Sequence, residues 1–152
     1  MISYRIAIAD AHAHLLRVTL TVPAPAAAQR LSLPVWIPGS YLVREFARHL
    51  SGIEARQGTR VVPLVQLDKT SWQADCSGRN PLVVSYLVYA FDTSVRSAFV
   101  DARRGFFNGT SVFLRIEGRE GEPHAIELPR ETFQRGAQRP RLDVELSQLP
   151  PE

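Results

Sequence analysis

Hydrophobic residues recur at every second position in this chain, in one stretch after another. From His12 to Val22 one face reads His12, His14, Leu16, Val18, Leu20 and Val22, and the other reads Ala13, Leu15, Arg17, Thr19 and Thr21. Successive side chains of a strand point to opposite faces, so this period of two predicts a long, half-buried β-strand. Before it, Ile2, Tyr4, Ile6 and Ile8 alternate with Ser3, Arg5 and Ala7, and Asp10-Ala11 is expected to turn the two into a hairpin. Leu82 to Phe91 is apolar on both faces, which predicts a central strand.

Shorter runs follow the same rule. Strands are expected over 31–37, 53–57, 60–66, 71–76, 94–100, 111–116, 125–128 and 142–146. Pro34 suits an edge or a bulge, because proline cannot donate to a ladder. Pro38-Gly39-Ser40-Tyr41 reads as a tight turn. Only Tyr41 to Leu50 looks helical, with Leu42, Phe46 and Leu50 four apart, and Gly52 is expected to stop it. The fold class is therefore all-β: an antiparallel β-sandwich of many short strands, with at most one short helix near 42–50. At 152 residues one domain is the default, large enough for a core without disulfides or metals. Residues 1–129 are read as that β domain. Residues 130–152 turn polar and basic and end on Leu149-Pro150-Pro151-Glu152, so they are read as a divergent or truncated tail.

Catalytic signatures are sparse. Two zinc-ligating imidazoles on one helix face need His-Glu-x-x-His, and none of His12, His14, His49 and His124 is followed by glutamate. His12 and His14 share a strand face in the alternation, but no third ligand adjoins them in sequence. Gly-x-Ser-x-Gly, the phosphate-binding Walker loop and Gly-x-Gly-x-x-Gly are absent. Acidic residues are dispersed. The single Cys76 ends a strand-like run and reads as structural. Asn108-Gly109-Thr110 matches a glycosylation acceptor, and Asn-Gly is also a strong hairpin signal. Net charge is +3, but the arginines are scattered, which disfavours nucleic acid. No signal peptide or membrane-length run is apparent, so a cytoplasmic location with no membrane partner is expected.

Two segments carry a resemblance. One is Leu33-Pro34-Val35-Trp36-Ile37-Pro38-Gly39-Ser40-Tyr41-Leu42-Val43-Arg44-Glu45-Phe46, in which Trp-x-Pro-Gly-Ser-Tyr followed by Arg is the most specific part. The other is Ser94 to Asp101 followed by Gly105-Phe106-Phe107-Asn108-Gly109-Thr110-Ser111. With Asp68-Lys69-Thr70-Ser71-Trp72 and Tyr86-Leu87-Val88-Tyr89-Ala90 in order between them, residues 1 to 128 resemble the N-terminal domain of the glycyl aminopeptidase family of zinc metallopeptidases. That family carries a PDZ domain and is distantly similar to aminopeptidase N.

The resemblance implies a non-catalytic N-terminal β domain that packs on a catalytic domain in cis and helps shape its substrate cleft. Zinc is then expected in that catalytic domain, which these residues do not contain, and no cofactor or metal in this chain. The docking or cleft candidates are Trp36, Pro38, Gly39, Tyr41, Arg44, Phe106, Phe107, Asn108, Gly109 and Thr110; each is equally readable as a turn or core residue. A docking face without its partner domain is expected to self-associate. The alternative is an autonomous β-sandwich binding module for peptide or carbohydrate, which exposed aromatics lining a concave sheet would favour.

Overall fold

The computed structural model describes residues 1–10, 12–33, 50–90 and 113–127, together with the strand backbone of 98–100, 104–108 and 141–145. The expected helix near 42–50 lies outside the described residues, except that Leu50 opens a strand. The early strands are β1 (Ile2–Asp10), β2 (Leu15–Val22), β3 (Ala28–Ser32), β4 (Leu50–Gln57), β5 (Arg60–Val61), β6 (Leu64–Asp68) and β7 (Ser71–Asp75). Then come β8 (Leu82–Tyr89), β9 (Ala98–Val100), β10 (Arg104–Asn108), β11 (Arg115–Ile116), β12 (His124–Glu127) and β13 (Arg141–Glu145). All described regular elements are strands, and no helix among the described residues is long and apolar enough to cross a membrane.

One sheet has the order β12-β1-β2-β8-β4-β5, and a second has β11-β3-β7-β6. The alternation seen in the sequence decides what faces inward. Ile2, Tyr4 and Ile6 of β1, Leu16, Val18, Leu20 and Val22 of β2, and Leu82, Val84, Tyr86 and Val88 of β8 are buried. Leu31 of β3, Trp72 and Ala74 of β7, and Ile116 of β11 join them in one core cluster. The inner faces of the two sheets thus form a single apolar layer, which is the sandwich. β8 is central, between β2 and β4, as its two-sided apolar run requires. Most pairs are antiparallel; β1–β12 and β10–β13 are parallel. β13, β10 and β9 make a third, three-stranded sheet.

The structure corrects several boundaries. The single run expected over 60–66 is two strands in two different sheets, β5 and β6. Pro63 cannot donate a ladder hydrogen bond, and the chain crosses the sandwich there. Val62 is buried at the crossing, and its N–H donates to the Ala55 carbonyl at 2.9 Å. Gly52 does not end a helix; it sits in β4 at φ 59°, where the register against β8 slips between Ser51 and Glu54. That is the left-handed conformation that a glycine bulge uses. His12 and His14 are not on a strand face. They lie in the turn between β1 and β2, where the Asp10 Oδ1 accepts the Ala13 N–H at 3.0 Å and His14 holds a φ of 58°.

Two buried glutamines bind the loops to the sandwich. Gln57 donates from Nε2 to the Asn80 carbonyl at 2.9 Å, and its Oε1 accepts from Arg60 and from the Ser77 N–H. Gln29 donates to the Arg30 and Glu117 carbonyls and accepts from the Ala26 N–H. A buried amide without partners is costly, so these bonds are what allow glutamine in the interior. Cys76 is a half-buried free thiol packed against the core, and burial pushes its pKa up. That environment suits the structural reading and not a reactive thiolate.

Candidate functional site

The C-terminal end of the first candidate segment and the N-terminal start of the second lie at the same end of the six-stranded sheet. The segment that begins after Leu33 returns to the described chain at Leu50, and Leu50 pairs with Val88. One residue further on, β8 ends at Tyr89, and the chain leaves the described residues after Ala90 towards β9. The β1–β2 turn closes on the same place. Leu15 pairs with Tyr89, the Ala90 N–H donates to the His14 carbonyl at 2.7 Å, and the His14 ring meets the Tyr89 ring edge-on at 6.2 Å. Tyr89 is 45% exposed there, an apolar ring with a polar tip at the margin of the sheet.

The return of the chain from the second segment is held by two tyrosines. The Tyr4 hydroxyl donates to the Leu114 carbonyl at 2.7 Å, and the Leu114 N–H donates to the Tyr86 hydroxyl oxygen at 3.2 Å. Leu114 is fully buried and lies outside any strand, so its backbone groups need partners that no ladder supplies. Burial pushes both phenols well above the ordinary tyrosine value, so both stay neutral and able to donate. Phe113 packs on the Tyr4 ring at 4.6 Å, and His124 stacks on the same ring at 5.9 Å. The sequence signal was available: a tyrosine on an otherwise aliphatic inward face brings a hydroxyl that must be satisfied.

A third family-like segment has a local role. At the β6–β7 turn the Asp68 carboxylate accepts the Thr70 N–H at 2.8 Å and the Thr70 hydroxyl at 3.2 Å. Hydrogen bonds from the Ser71 hydroxyl and then the Thr70 backbone hold the Asp68 carboxyl below its usual range. Next to it, the Leu33 N–H donates to the Thr70 carbonyl at 2.8 Å, tying the start of the first candidate segment to this turn. A lowered folded-state pKa stabilises above the ordinary aspartate value of about 3.9 and loses that contribution as pH falls through the lowered value. Asp68→Asn is therefore expected to flatten the fall of Tm between about pH 5 and pH 2, read by circular dichroism melts at each pH. An identical acid profile in both proteins would show that the turn does not depend on the charge.

Of the predicted residues, Trp36, Pro38, Gly39, Tyr41, Arg44, Gly109 and Thr110 lie outside the described residues. Phe106, Phe107 and Asn108 stand on β10, a strand that the sequence reading did not separate from the loop around it. Phe106 pairs with Phe99, and Phe107 with Ala98. The hairpin expected at Asn108-Gly109 is not made between the described flanks. β10 pairs with β9 and β13, whereas β11 pairs with β3. Among the described residues no group of three or more His, Cys, Asp or Glu side chains is placed to hold a metal.

Comparison with known proteins matches this arrangement to a family. The Peptidase M61 N-terminal domain model matches residues 3–139. A crystal structure of an aminopeptidase N family protein from Idiomarina loihiensis is 43% identical and superposes with a TM-score of 0.82 over 88% of this chain. The chain spans 23% of the length of that protein. No curated protein matches it. With the family model covering nearly the whole length, and the same fold found in a solved structure at 43% identity, the chain belongs to the Peptidase M61 N-terminal domain family.

Proposed function

We propose that this chain is the non-catalytic N-terminal β domain of a zinc-dependent metallo-aminopeptidase, and that it packs on a catalytic domain in cis and helps shape the substrate cleft. The observation that carries this reading is the family match over residues 3–139, joined to an aminopeptidase N family relative of which the chain spans 23%. Zinc would be held by that catalytic domain, and a PDZ domain would follow it. Residues 1–129 are then the β domain, 130–152 the tail, and the protein cytoplasmic.

Trp36, Pro38, Gly39, Tyr41 and Arg44 on one side, and Phe106 to Thr110 on the other, are the proposed docking and cleft residues. Support comes from the frame that holds their segments: the Leu50–Val88 pair and the ends of β2 and β8 bring the C-terminal end of the first segment and the N-terminal end of the second to one end of the sheet. An interaction face gathered at the end of a rigid sandwich is how loops on a β scaffold usually carry function. The cheapest test is the coding sequence downstream. A His-Glu-x-x-His within the next few hundred codons is expected. A stop codon with no peptidase sequence nearby would count for an independent module instead.

A further inference from the structure

Among the described residues, three of the five large apolar side chains that stand exposed fall in one short stretch, Val61, Val65 and Leu67. Val61 is on β5, the last strand of the six-stranded sheet, and Val65 and Leu67 are on β6, the last strand of the four-stranded one. The chain crosses between the sheets at Val62-Pro63, so both edges lie on one side of the sandwich. Val65 is 54% and Leu67 43% exposed, which leaves that side open to solvent. Among the described residues β6 pairs with β7 alone. The Asp75 N–H donates to the Pro63 carbonyl at 3.0 Å, and this fixes the phase of the ladder. Alternate residues of an antiparallel strand bond to opposite sides, so Val65 turns its main-chain groups to β7, and Leu64 and Gln66 turn theirs outward. The usual protection of an edge is missing here. No proline stands at an outward-bonding position, no residue from Leu64 to Leu67 is charged, and the bulge in the pairing with β7 comes only after Gln66.

We propose that the outer edge of β6 is an interface for a second copy of this chain, paired antiparallel about a two-fold axis at Val65, so that two four-stranded sheets become one. The occupant follows from the fit of the strand to itself. In that register Leu64 of each copy faces Gln66 of the other, and the outward main-chain groups of these two residues satisfy each other. Val65 meets its own copy in the close, non-bonded kind of pair, apolar against apolar. Leu67 falls opposite Pro63, at a position where the missing N–H costs nothing. The charges at the two ends also suit a copy. Arg60 is held at the start of β6, where its Nη2 donates to the Asp75 carbonyl at 3.3 Å, and Asp68 and then Lys69 stand at the end. Antiparallel pairing sets Asp68 of one copy towards Arg60 of the other, whereas parallel pairing would set like against like. A two-fold contact uses the same patch on both copies, as this register does. The site is independent of the peptidase reading and uses none of the proposed docking residues.

The test uses the full chain. Sedimentation equilibrium is expected to show a monomer–dimer equilibrium in the unmodified protein. Val65→Lys sets two ammonium groups together on the axis and should raise the dimer Kd about tenfold or more. Val65 is exposed, so the variant is expected to keep the Tm of the unmodified chain at a concentration where both are monomeric. A second variant reads the register itself. Residues directly opposite in a non-bonded pair have Cα atoms about 4.5 Å apart, within reach of a disulfide. In a Cys76→Ser background, Val65→Cys should therefore oxidise to a covalent dimer. Gln66→Cys is exposed as well but faces Leu64 of the other copy, and should cross-link at least about tenfold more slowly. An unmodified chain that stays monomeric up to its solubility limit overturns the proposal and leaves the edge to some other partner. A dimer that Val65→Lys leaves intact, or equal cross-linking by the two cysteine variants, overturns it too and puts the self-association on another face.

Discussion

Truncating Tyr86 to alanine is expected to lower the stability of the domain by about 3–5 kcal/mol, the usual cost of removing a buried aromatic. Tyr86→Phe is expected to cost about 1–3 kcal/mol, because it keeps the ring and removes the hydroxyl that accepts the Leu114 N–H. Tyr86 is fully buried in the middle of the core, on the central strand of the six-stranded sheet. Its hydroxyl reaches a residue that belongs to neither sheet ladder. Domains of this kind have only about 5–15 kcal/mol of net stability, so the alanine variant loses a large share of it. Urea titration followed by tryptophan fluorescence reads both effects as shifts of the midpoint at constant slope. A neutral Tyr86→Phe would mean that the Leu114 N–H finds another acceptor, and the two-tyrosine account of the chain's return would fail.

Trp72→Ala should cost about 3–5 kcal/mol by the same reasoning. Its value is that it probes the other sheet. Trp72 is on β7, pairs with Leu31 of β3 and is buried in the cluster that also contains Leu16, Leu20 and Tyr86. If the two sheets share one core, a hole made from the four-stranded side weakens the whole molecule, and the transition stays cooperative. A loss below about 1 kcal/mol, or a separate early transition, would show that the second sheet is merely appended.

The sandwich was legible because its strands are amphipathic with a period of two. Ile2 to Ile6, Leu16 to Val22 and Leu82 to Val88 alternate as written, and the inward set is buried position by position. What the pattern could not show was where pairing stops. His12 and His14 continue the alternation of β2 beyond the point where Asp10 has already turned the chain, since periodicity does not register a side chain accepting a backbone N–H. Residues 60–66 read as one run because Val61, Val62 and Leu64 are all apolar, although Pro63 marks the passage between sheets. β10 is hidden in the sequence because its five residues begin on Arg104 and end on Asn108, inside the pairs Arg103-Arg104 and Asn108-Gly109 that both look like loop. The parallel pairings of β12 with β1 and of β13 with β10 join residues more than thirty positions apart, and no local rule encodes them. For the candidate site, the motifs pointed to two segments; the fold adds that Leu50 and Tyr89 attach them to neighbouring strands.

The most direct test of the central claim is an aminopeptidase assay on the purified chain with one equivalent of zinc and a fluorogenic glycyl substrate. The account predicts no turnover above the blank for these 152 residues alone, and turnover once the chain is joined to a His-Glu-x-x-His catalytic domain of its family. Hydrolysis by the chain alone, proportional to its concentration and abolished by a chelator, would contradict it.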